Sequence, residues 1–108
     1  MINADFYVGK DGVLTGFTVS GHSGYAEEGS DIVCAAVSSM AYLTANTVTE
    51  VIKASPEIKV EDGFISLKVK NGEEEKCLVP LKGFYLQMKE LVKQYPEYIR
   101  QTLTNPNR

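Results

Sequence analysis

The stretch DIVCAAVSSMAYLTANTVTEVIKASP, residues 31–56, decides the fold. Val33, Val37, Met40, Thr44, Val48 and Val51 recur at helical spacing and predict one apolar stripe. Ala35, Ala36, Ala41 and Ala45 keep that helix slim. Asp31, or Ser30 before it, is placed to cap the start by accepting from exposed backbone N–H groups. Ser55-Pro56 is the expected stop, because proline disfavours helical geometry in the residue before it.

On both sides of this helix the period changes from helical to two. Upstream, Ile2, Ala4, Phe6 and Val8 share one face of a strand, and Val13, Phe17 and Val19 share one face of the next. Gly9-Lys10-Asp11-Gly12 turns between them, so the pair reads as a hairpin. Downstream, Ile58–Glu61 and Phe64–Lys70 flank Asp62-Gly63, a strong hairpin turn, with Ile65, Leu67 and Val69 pointing one way. A second helix is expected from about Pro80, a residue suited to the first helical position, to the stop at Pro96. Its stripe is Leu81, Phe84, Met88, Leu91, Val92 and Tyr95. Tyr98 to Leu103 alternates weakly and reads as a short edge strand or a tail. The order ββαββα predicts an α+β two-layer sandwich: a mainly antiparallel sheet of four or five strands with two helices on one face.

A chain of 108 residues forms one domain, spanning 1–108, with one real hydrophobic core. The net charge of −3, with scattered Lys and Arg, argues against direct nucleic-acid binding and suits a cationic polypeptide partner. The start Met1-Ile2-Asn3-Ala4-Asp5 lacks the pattern of a signal peptide. No uninterrupted apolar run reaches the ~18 residues that would predict a membrane span. The expectation is a cytoplasmic protein with reduced thiols. One His and two Cys do not close a four-ligand zinc site, so a structural zinc is not expected; no cofactor is expected either.

The chemistry concentrates between Ser20 and Ser39. His22 ends a strand, and Cys34 falls third in the helix if Asp31 is the cap. Unsatisfied N–H groups and the positive helix end stabilise a thiolate there, and a nearby imidazole can protonate a leaving amine. These features make Cys34 and His22 a candidate nucleophile and base. The helix-start N–H groups are the expected oxyanion donors. Against this reading, a cysteine among Ile32, Val33, Ala35 and Ala36 can equally be an inert core residue. Asp31 either caps the helix or orients His22, and Ser38 follows Cys34 by one turn on the same face. Cys77, after Glu73, Glu74 and Glu75, reads as structural or idle. The loop from Ser23 to Ser30 reads as a lid, and Glu27 and Glu28 as solvated charges able to attract a basic substrate. The residues alone also allow a non-enzymatic assembly or binding factor for a cationic partner such as a ribosomal polypeptide, or a redox sensor.

Gly21-His22-Ser23-Gly24-Tyr25-Ala26, then Gly29, then Asp31-Ile32-Val33-Cys34-Ala35-Ala36-Val37-Ser38 closely resembles the signature of the ribosomal-processing cysteine protease family, Prp. The hairpins and the ending Gln94-Tyr95-Pro96-Glu97-Tyr98 resemble it too. The resemblance implies a small bacterial cytoplasmic endopeptidase that removes the N-terminal extension of a large-subunit ribosomal protein precursor, cutting after an aromatic pair. It places the nucleophile on Cys34 and the base on His22, with Gly21, Asp31 and Ser38 shaping the site. It further implies a homodimer that needs no metal. Ser23 departs from the pattern, standing where Ala is common.

Overall fold

The structure is a computed structural model that describes residues 1–27 and 31–105. The elements run β1 (Ile2–Val8), β2 (Leu14–Ser20), α1 (Ile32–Asn46), β3 (Glu57–Glu61), β4 (Phe64–Lys68), α2 (Glu74–Gln94) and β5 (Ile99–Thr104). They form one five-stranded sheet in the order β3-β4-β2-β1-β5. Every pairing is antiparallel except β1 with β5. The expected two-layer α+β sandwich is the observed one, and the chain's last segment is a strand parallel to β1.

The topology explains why both helices share a face. β3 runs in the direction of β2, and β5 in the direction of β4. Each helix is therefore the crossover of a β-α-β unit, and such crossovers keep one hand. The covered face carries Ile2, Ala4, Phe6, Phe17, Val19, Ile65 and Leu67, all buried. Phe84 of α2 packs edge-on against Phe6 and Phe17, with ring centroids 5.2 and 4.9 Å apart. Truncating one of these rings to alanine costs about 3–5 kcal/mol. The opposite face is polar and half-buried, with the Tyr7 hydroxyl donating to Thr18 Oγ1 at 3.0 Å.

Four local expectations need correction. Leu14, not Val13, enters the core, because a bulge between the Tyr7–Gly16 and Val8–Leu14 pairs shifts the alternation by one residue. On α1 the buried stripe is Val33, Val37, Ala41, Thr44 and Ala45, continued by Val48 just past its end; Met40 is only partly covered, and Val51, also past the end, is 75% exposed.

That helix also ends before Ser55-Pro56, passing into a π turn over Thr47–Val51 and then Lys53, at φ 66°. The hydroxyls of Thr44, Thr47 and Thr49 donate to the carbonyls four residues earlier, competing with the helix's own bonds. The span Ile32–Val51 has a mean hydropathy of 1.3 and the length to cross a bilayer, but here its apolar stripe is packed in the core.

Finally, α2 begins at Glu74, so Pro80 is interior and leaves the Lys76 carbonyl without its helical donor. Cys77, fully buried, holds the early turns to the core, and Glu74 and Glu75 suit the positive helix end.

Candidate active site

β2 ends at Ser20 and α1 begins at Ile32, so the intervening loop sits where a strand's carboxyl end faces a helix's amino end. A groove of about 740 Å³ opens there. One wall is α1, through Cys34, Ser38 and Tyr42; the other is the β3–β4 turn, through Asp62, Gly63 and Phe64. Val19, Ile65 and Val60 line its apolar part, and His22 and Gly21 stand at its edge.

Cys34 is the third residue of α1, as the sequence predicts, and is half-buried in the groove wall. Asp31 caps the helix: its Oδ1 accepts the N–H groups of Val33 at 3.0 Å and Cys34 at 2.9 Å. Its Oδ2 accepts the Ser23 hydroxyl. Asp31 is therefore a cap held by Ser23. The Ser23 bond, followed by those from Cys34, holds the Asp31 carboxyl at about 2 despite the opposing pull of burial. Ser30, the alternative cap, lies outside the described residues, as do Glu28 and Gly29 of the expected lid.

Ser23 has a larger part in the site than its place in the sequence suggests. It is buried although Gly21, His22 and the residues from Gly24 to Glu27 around it are exposed. Its hydroxyl reaches Asp31 and accepts the Tyr25 N–H at 3.0 Å, and its own N–H donates to Cys34 Sγ at 3.3 Å. The available signal was a hydroxyl eight residues before a cap carboxylate, which no local rule connects. Tyr25 then stacks edge-on against Tyr95 and Tyr98, fastening the loop to the end of α2.

His22 is exposed and lies over Gly63. A Cβ at Gly63 would stand 2.8 Å from His22 Nε2, and Gly63 has φ +66°. The positive φ favours glycine, and a side chain there would push the ring aside. Gly21 acts through shape: at φ +92° it turns the chain, its N–H donates to the Gly63 carbonyl at 2.9 Å, and a side chain there would strike the Met1 carbonyl. Ser38 is exposed on the groove wall one turn beyond Cys34. The structure thus brings Gly21, His22, Asp31, Cys34 and Ser38 to one groove.

The family model for cysteine protease Prp matches residues 1–100. The chain belongs to that family. The ribosomal processing cysteine protease Prp of Staphylococcus aureus (strain Mu50) is 26% identical over 102 residues, 93% of this chain and 96% of the relative. Its Bacillus subtilis (strain 168) counterpart is 23% identical over 108 residues, 94% and 96% of the two chains. The crystal structure of an essential ribosomal processing protease Prp from S. aureus, in complex with a covalently linked product peptide, has a TM-score of 0.89 at 25% identity. The match covers 95% of this chain and 99% of that one.

Proposed function

We propose that the chain is a Cys–His dyad endopeptidase that removes the N-terminal extension of a large-subunit ribosomal protein, cutting after an aromatic residue. The observation that carries this is the placement of Cys34 at a helix start and His22 at the edge of the same groove. Cys34 thiolate attacks the scissile carbonyl, and His22 gives its proton to the leaving amine. Gly63 positions the imidazole, Asp31 fixes the first turn under the sulfur, and Gly21 shapes the rim. Ser38, exposed one turn along the wall, meets the bound peptide.

The apolar lining formed by Val19, Val60 and Ile65 suits large apolar side chains before the cut. Glu61 and Asp62, also in the lining, suit the basic stretch of a ribosomal protein. The reading includes a homodimer working in the cytoplasm, without metal, membrane or direct nucleic-acid contact.

The test is incubation with the unprocessed ribosomal protein followed by mass measurement. One cut after an aromatic residue is expected, absent with Cys34→Ala and with His22→Ala. An active Cys34→Ala chain would end the proposal in favour of a binding factor.

A further inference from the structure

At the start of α1 three of the N–H groups expected to hold an oxyanion are already engaged. Asp31 Oδ1 takes the N–H groups of Val33 and Cys34, and the Ala35 N–H donates to the Asp31 carbonyl at 3.0 Å. The N–H that does face the sulfur comes from the opposite side of the site: Ser23 N–H, 3.3 Å from Cys34 Sγ.

We propose that the backbone N–H of Ser23 is an oxyanion donor in the acylation step, which makes Ser23 a catalytic residue through its main chain. The inference rests on the cysteine-protease reading of this groove. When the thiolate adds to the scissile carbonyl, a C–S bond forms and the carbonyl π pair moves onto oxygen. That oxygen then lies beside the sulfur, within reach of a donor already aimed there. One N–H can thus follow the negative charge from sulfur to oxygen with little reorganisation. On collapse the pair returns, the C–N bond breaks, and the leaving nitrogen takes its proton from His22. Water then hydrolyses the thioester.

Such a donor works when it is held in place before the reaction. Ser23 is 4% exposed, and its hydroxyl bridges the Tyr25 N–H and Asp31. The same Asp31 carboxylate holds the Cys34 N–H with its other oxygen. Donor and nucleophile are therefore tied to one carboxylate.

The test is an amide-to-ester exchange at Ser23, which removes this N–H and keeps the hydroxyl. The full chain is assembled by ligation at Cys34, with an all-amide chain made the same way. The ester chain is expected to fold, by circular dichroism, and to lose about 10²–10³-fold in kcat with little change in KM. An unchanged kcat would overturn the assignment. A second measurement needs no variant. With ¹⁵N-Ser23 in the native chain, a short peptide aldehyde ending in phenylalanine forms a hemithioacetal at Cys34. The Ser23 amide proton should then show a large downfield shift, and an unmoved resonance would overturn the assignment even if the ester chain fails to fold. An all-amide chain that cleaves nothing would sink the protease reading itself, and the inference with it.

Discussion

Cys34 is the third residue of α1 and Cys77 the fourth residue of α2, so each thiol stands in the first turn of a helix. Their surroundings differ in every other respect. Cys34 is half-buried in a groove wall, takes a hydrogen bond from Ser23 and sits on a turn capped by Asp31. Cys77 is 0% exposed, and burial pushes its thiol up, with the Glu73 carboxylate adding to the effect. Glu73 gives α2 no side-chain cap; it accepts the Ser55 N–H at 2.8 Å and pairs with Lys76 at 3.1 Å. A helix amino end thus does not by itself leave a thiol accessible. Access to a groove and a donor aimed at the sulfur separate the two.

The largest expected effect tests that contrast directly. Cys34→Ala should abolish cleavage and leave the fold intact. Cys77→Ala should retain full activity and lose about 1 kcal/mol of stability, read from the urea midpoint. An inactive Cys77→Ala paired with an active Cys34→Ala would invert the assignment.

Alkylation sharpens the same comparison. Iodoacetamide at neutral pH should label Cys34 in the native chain and reach Cys77 only on unfolding, as peptide masses would show. Prior labelling of Cys77 would contradict its burial.

A smaller but still large loss is expected from Gly63→Ala. The new methyl group displaces the His22 ring, and such misplacement costs on the order of 10²-fold in kcat. The left-handed backbone at residue 63 adds about 1 kcal/mol of destabilisation. Full activity in this variant would show that His22 is not held by the β3–β4 turn.

The smallest effect concerns acid. The folded Asp31 pKa is lowered from 3.8 to about 2, so this carboxylate favours the native state above pH 3.8 and that contribution is lost as pH falls through about 2. Ser23→Ala removes the leading cause of the shift. The stability gap between this variant and the native chain should be full above about pH 4 and narrow as pH falls toward 2. A gap that does not change with pH would place the role of Ser23 elsewhere.

The sequence determined much of this protein by itself. Alternation in Ile2–Val8 and Phe64–Lys68, and the helical stripe through Val33, Val37 and Val48, report which side chains face a core. Asp31 and Cys34 were legible because a cap and a first turn are local. Tertiary structure alone decided that His22 lies over Gly63, that Ser23 is buried against Asp31 and Cys34, and that β5 joins β1 in parallel. It also drew α2 back to Glu74 by burying Cys77, against the signal of Pro80. Residue periodicity records the direction in which a side chain points. Which distant segment it meets there depends on how separate layers pack, and no local pattern encodes that.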